Sequence, residues 1–403
     1  MFYIPGRKES TIVEEIASKL IASKLIDDLH YSYSGDLEDL VGMQSRVEEM
    51  ANLCLSMGLN DVHFIGIWGM GGIGKTTIAQ VLYDKIQYHF AGSSFLANVR
   101  EKNGNDGLVT LQKQLLSDVL FEKNIDISDV QKGINLIRRR LCHKRVLVIL
   151  DDVDQDKQLE ALAGKQSWFG PGSVIIIITR DRRLLIRHEV AEEKIYNAKE
   201  LDGDEALKLF SLKAFKQDNP LEGYEVLSKK FINYAQGLPL ALKVLGSSLI
   251  CRNLDAWKAV LGRLKETPKR EILDVLQISF ESLEITQKEI FLDIACFFKG
   301  MTKDDVTNIL QTPHDQLNIE IEELVEKCLI TISNGTLWMH DLLQELGKEI
   351  VRRESPKELG GRSRLWVKED VLHVLKHNTV SRLCTILCFV MSVCACEIDQ
   401  SFC

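Results

Sequence analysis

The feature that most restricts this chain is a nine-residue stretch, GMGGIGKTT, at residues 69–77. It follows the apolar run HFIGIW (63–68) and precedes an amphipathic run over 78–86. Glycines let the backbone curl until successive N–H groups point inward at an anion. A helix starting directly behind the loop adds partial positive charge. The spacing GxxxxGKT, met by Gly69, Gly74, Lys75 and Thr76, implies a cradle for phosphates, and its context of strand before and helix after is the one the mechanism demands. Backbone groups of Gly69, Gly71, Gly72, Ile73, Gly74 and Thr77 line that cradle. Lys75 is expected to reach the β-phosphate and, when present, the γ-phosphate, and the Thr76 hydroxyl to ligate Mg²⁺.

Three further runs, SFLANV (94–99), RVLVIL (145–150) and SVIIIIT (173–179), are short, apolar and separated by helical stretches. Strands that apolar are buried on both faces, which indicates a parallel sheet covered by helices. The fold expected is therefore an α/β P-loop NTPase domain. The third run in the chain ends in Asp151–Asp152. One acid at such a strand end can hold the hydration shell of Mg²⁺ and its neighbour can orient or deprotonate a water; Asp151 is assigned to the metal and Asp152 to the water. The last run ends in Arg180, a cation at the carboxyl end of a parallel strand, where it can sense a γ-phosphate.

After residue 201 the strand signal gives way to helical periodicity, as in ALKLFSLKAF (206–215), LPLALKVLGSSL (238–249) and IFLDIACFFKG (290–300). Asn334–Gly335, flanked by β-prone residues, reads as a hairpin turn and suits a winged-helix unit. Residues 8–30 read as an amphipathic helix with a tandem IASKL copy at 16–20 and 21–25. The boundaries expected are an N-terminal helix and linker (1–38), a nucleotide-binding domain (39–200), a helical subdomain (201–268), a winged-helix subdomain (269–378) and an unassigned cysteine-rich tail (379–403).

A length of 403 residues suits two or three domains. Lys and Arg total 50 against 58 Asp and Glu, a net charge of −8, which argues against a nucleic-acid partner. Half of the ten cysteines crowd into the tail and the others sit inside apolar segments, as buried thiols of a reducing compartment do. No signal peptide is visible, and the apolar stretch 383–396 falls short of the ~20 residues that span a bilayer. A cytoplasmic or nuclear protein without membrane contact is expected.

The order of motifs resembles the NB-ARC module of plant intracellular disease-resistance receptors of the class with a Toll/interleukin-receptor-like domain. The resemblance runs from about residue 39 to 378 and rests on the phosphate loop, LVILDDVD (147–154), FLANVRE (95–101), YNAKELDGDEALKLFSLKAF (196–215), GLPLAL (237–242), FLDIACFFKG (291–300) and MHD (339–341). It implies a switch in which ADP holds the resting state and ATP the active one, with self-association or contact with related receptors on activation. It also implies that Val41, Gly42 and Pro239 lie against the adenine and that His340 contacts the β-phosphate of ADP. Two positions depart from the family pattern: Ile178 replaces a threonine before Arg180, and Val174 a basic residue earlier in that strand. The Toll-type domain and the leucine-rich repeats are missing, so a truncated receptor, a partial gene model or a natural short form is expected. The competing functions are a continuously hydrolysing ATPase and a decoy or adaptor that does not switch.

Overall fold

The structure, a computed structural model, describes residues 40–55, 61–102, 104–266, 269–310 and 314–377. The expected N-terminal helix and the cysteine-rich tail lie outside the described residues. The chain divides into two compact units. Among the described residues, one holds 40–229 together with 237–251, and the other holds 230–236 together with 252–377.

The first unit contains α1 (Met43–Leu55), β1 (His63–Trp68), α2 (Lys75–Ile86), β2 (Gly92–Leu96), α3 (Gly104–Leu120), α4 (Val130–Leu141), β3 (Val146–Val153), α5 (Asp156–Ala163), β4 (Val174–Thr179), α6 (Arg182–Arg187), β5 (Ile195–Asn197) and α7 (Gly203–Phe215). The five strands form one parallel sheet in the order β2-β3-β4-β1-β5. Every residue of β4 is buried, and all of β3 except Asp152. Their Val and Ile side chains suit a pleated surface covered on both sides. All four expected strands are present. β2 occupies 92–96 rather than 94–99, because Asn98 turns to φ 52° and ends the extended run. The fifth strand, β5, pairs with Gly66–Trp68; three residues with one buried side chain carry no pattern that sequence reasoning can detect.

Helix α8 (Glu225–Ala235) passes from the first unit into the second, and α9 (Pro239–Ser248) returns to the first, where it packs along α7. The stretch 201–268, read above as one helical subdomain, is thus shared between the two units in this structure. The second unit continues with α10 (Leu254–Glu266), α11 (Arg270–Glu281), α12 (Ile285–Asp293), a π-helical turn (Ile294–Phe298), α13 (Lys303–Leu310), α14 (His314–Glu326), β6 (Thr331–Ser333), β7 (Thr336–Trp338), α15 (Asp341–Glu354) and α16 (Lys368–Lys376). β6 and β7 form the expected antiparallel hairpin. Asn334 and Gly335 both take positive φ, 50° and 75°, as a two-residue turn of this twist requires.

Within this unit Phe231 of α8 meets Trp257 edge-on, with ring centroids 5.5 Å apart. α15 lies close against the π-helical turn: a Cβ on Gly347 would stand 2.5 Å from the Ala295 Cβ, so only glycine allows the approach. Arg364 is 4% exposed and donates from Nε to Asp293 at 2.6 Å and from Nη2 to Glu289 at 2.7 Å. A guanidinium buried to that degree needs such partners.

His188, just past α6, supplies a pH dependence to the first unit. Its ring stacks on Phe64 at 5.2 Å and 4°, and its Nε2–H donates to the Ala163 carbonyl at 2.9 Å. Burial pushes its pKa below the ordinary 6.5. The folded state therefore binds fewer protons than the unfolded one. The stabilising contribution is complete above about pH 6.5 and is lost as pH falls through the folded-state value. Urea midpoints are expected to drop on going from about pH 7 to about pH 5, and His188→Phe to flatten that slope. An unchanged slope in the variant would refute this assignment.

Candidate functional site

The phosphate loop leaves the end of β1 and turns into α2. Gly74, at φ 96°, is the N-cap of α2 and supplies no side-chain acceptor, so the first N–H groups of the helix face outward for an anion. Lys75 is 7% exposed, and its Nζ donates to the Gly69 and Met70 carbonyls at 2.8 and 3.0 Å. The ammonium is thereby held over the loop it follows. The Thr76 hydroxyl donates to Asp151 Oδ1 at 2.8 Å. The Asp151 carboxyl is 2% exposed. Burial pushes the pKa of Asp151 up, against the opposing effect of the Thr76 hydrogen bond. A hydroxyl and a carboxylate oxygen side by side form a hard-oxygen pair of the kind Mg²⁺ takes, with the rest of its shell from water and phosphate.

Asp151 and Asp152 sit in an irregularity of the ladder. Leu150 pairs with Ile177 but Val153 pairs with Thr179, so β3 has one residue more than β4 between these points. Asp152 absorbs the bulge at φ 56°, a conformation that aspartate tolerates better than most residues. On a regular strand the two carboxylates would point to opposite faces, and the bulge re-aims them. Asp152 is met by Arg100 Nη2 at 2.8 Å on Oδ2 and by Arg180 Nε at 3.4 Å on Oδ1. Both Asp152 oxygens thus already face an arginine in this structure.

Two other expected ligand segments come to the loop within the same unit. The Leu240 N–H donates to the Gly72 carbonyl at 3.2 Å. Gly72 has φ 81°, and a Cβ there would stand 2.8 Å from the Leu240 Cβ, so the GLPL turn rests directly on the phosphate loop. Pro239 is buried at the first position of α9, where its missing N–H costs nothing. The half-buried Val41 and Gly42 precede α1. The Met43 Cε stands 3.8 Å from the place of a Gly74 Cβ. Arg46 fixes this corner: it donates to the Gly42 carbonyl at 2.6 Å, to the Glu200 carbonyl at 3.0 Å, and to both Glu205 oxygens at 3.0 Å.

His340 belongs to the second unit. It is the N-cap of α15, its Nδ1 accepting the Leu342 N–H at 3.1 Å, and Asp341 is the first helical residue. The Asp341 carboxylate accepts from Lys299 Nζ and from Gln236 Nε2, the latter at 2.7 Å, and its N–H donates to Gln236 Oε1 at 3.0 Å. Sequence reasoning missed Arg46 and Arg100. The latter lies in FLANVRE, whose position just past a strand end was the available signal. Bidentate pairs of this type are worth about 1.5–3 kcal/mol. A double-mutant cycle of Arg46→Ala and Glu205→Ala, followed by urea unfolding, is expected to return a coupling of about that size. Strictly additive effects would show the contact to be idle.

Residues 43–220 match the NB-ARC domain family, and residues 284–355 match the winged-helix domain of Roq1-like disease resistance proteins. Disease resistance protein RUN1 of Vitis rotundifolia is 45% identical over 329 residues, 81% of this chain and 24% of that protein. TMV resistance protein N of Nicotiana glutinosa is 41% identical over 376 residues, 91% of this chain and 31% of that protein. The chain thus spans about a quarter to a third of the length of these relatives. Among solved structures, a Walker-type ATPase of Pyrococcus abyssi superposes with a TM-score of 0.53 at 13% identity, covering 79% of this chain and 99% of its own, which shows a shared fold. The strand order, the loop and its acid pair, and these relatives converge: the chain belongs to the NB-ARC family of plant disease-resistance proteins and carries both its nucleotide-binding domain and the winged-helix domain that follows.

Proposed function

We propose that the chain is an adenine-nucleotide switch in plant disease-resistance signalling, resting with ADP and active with ATP. The observation that carries this reading is the phosphate loop with its open helix start, backed by the Thr76–Asp151 pair. Gly69 to Thr77 bind the phosphates, Lys75 neutralises them, and Thr76 and Asp151 hold Mg²⁺. That ion, when bound, would draw charge from the phosphate oxygens. Val41, Gly42 and Pro239 take the adenine, whose flat face suits a rigid apolar ring. Arg180 reads the terminal phosphate. His340 is assigned to the diphosphate on the family resemblance alone. Nucleotide chemistry can bias a two-state protein only where ADP and ATP are contacted differently. Activation is proposed to act through self-association or related receptors, in the cytoplasm or nucleus. Among the described residues no helix is long and apolar enough to cross a membrane.

The purified full chain is expected to carry close to one ADP per molecule and to release phosphate slowly. Rapid, sustained phosphate release would replace the switch with a hydrolysing ATPase, and protein that neither retains nor binds nucleotide would leave a decoy. Lys75→Ala is expected to weaken ADP binding about 10- to 100-fold, read by calorimetric titration; unchanged affinity would refute the placement of the phosphates. Asp341→Val removes the acceptor of Lys299 and Gln236. It is expected to lose most bound ADP and to shift to larger species in light scattering, and a monomer with full ADP content would refute its locking role.

A further inference from the structure

The FLANVRE segment, part of the motif order that resembles the family, stands in this structure beside the acid pair. β2, β3 and β4 are consecutive in the sheet, and their carboxyl ends carry Arg100, Asp152 and Arg180 in that order. Asn98, just past the end of β2, takes the left-handed region at φ 52°. Two residues on, in the single turn Val99–Glu101, Arg100 reaches Asp152. Arg180 reaches the same carboxylate from the β4 side. The three side chains are each no more than 20% exposed.

Two guanidiniums on one carboxylate repel each other, so the shared contact is a compromise between two like charges. Other acids nearby, Asp151 and Asp154, are engaged by Thr76 and Gln158. A carboxylate has two oxygens and one charge, whereas a terminal phosphoryl group offers three oxygens and more charge. The planar fork of arginine matches phosphate geometry in particular. Asp152 adjoins Asp151, which accepts from Thr76 of the phosphate loop, so both arginines stand beside the oxygen pair assigned to Mg²⁺.

We propose that Arg100 and Arg180 form a two-arginine clip that rests on Asp152 and transfers to the terminal phosphate of a bound nucleoside triphosphate, making Arg100 a second residue that distinguishes triphosphate from diphosphate. Asp152 is then a resting partner that competes with the phosphate for the clip. This proposal rests on the nucleotide-switch reading. It goes beyond that reading in giving Arg100 a task and Asp152 a role other than handling water.

The test is calorimetric titration of the full chain with ADP and with a non-hydrolysable ATP analogue bearing an imido bridge. Arg100→Ala is expected to weaken analogue binding roughly tenfold and to leave ADP binding unchanged. Asp152→Asn, which releases the clip, is expected to strengthen analogue binding. Where the alanine variant does not fold, Arg100→Lys carries the test; it keeps the charge without the fork and is expected to lose part of the preference for triphosphate. A mere fastener of the β2 turn would behave differently. Arg100→Ala would weaken both nucleotides alike, and Asp152→Asn would shift binding in the same direction as Arg100→Ala; either result overturns the clip. If wild type binds neither nucleotide and Lys75→Ala is indistinguishable from it, the nucleotide reading itself falls.

Discussion

Two adjacent aspartates at the end of a buried strand form the constraint on which this nucleotide-binding unit is built. Carboxylates taken from water need hydrogen bonds or opposite charge. Here each acid draws its partners from different elements: Thr76 from the start of α2 for Asp151, and Arg100 from the β2 turn and Arg180 from the end of β4 for Asp152. The ends of β2, β3 and β4 and the first turn of α2 are thereby tied to one point. The bulge that makes this possible strains Asp152, a cost of about 1–3 kcal/mol that the two guanidinium contacts offset.

The long apolar strands, the loop and the helical second half were legible in the sequence because period and composition carry them. RVLVIL and SVIIIIT can hardly be anything but buried strands. Other features depend on single backbone angles or on partners far along the chain. The early end of β2 follows from Asn98 at positive φ, and the aim of the acids follows from a one-residue mismatch between β3 and β4. Neither leaves a trace in hydropathy. Arg46 was invisible because its partners, Glu200 and Glu205, lie more than a hundred and fifty positions away. His340 illustrates a different limit. Histidine is an uncommon helix cap, yet the imidazole Nδ1 takes that place and the Asp341 carboxylate turns to Lys299 and Gln236.

The GLPL turn joins chemistry to architecture within the first unit. Its Leu240 N–H closes on the Gly72 carbonyl, so the first turn of α9 and the phosphate loop cannot shift independently. α9 in turn packs along α7, whose first turn is anchored through Glu205 to Arg46 and the corner at Gly42. The phosphate loop is therefore joined to the Gly42 corner by hydrogen bonds at either end and by the packing of α9 on α7 between them.

The path of α8 has a consequence for anyone who divides this chain. Because residues 230–236 belong to the second unit while 237–251 return to the first, the backbone crosses between them three times. No single cut yields two intact pieces. A fragment ending at Cys251 would keep the stretch with Phe231 and lose Trp257 opposite it, presenting an apolar ring to solvent and inviting aggregation. The complementary fragment would carry the matching vacancy. Expression boundaries placed by counting domains along the sequence would thus make two sticky halves, which would be expected to regain solubility when mixed, each supplying what the other had lost.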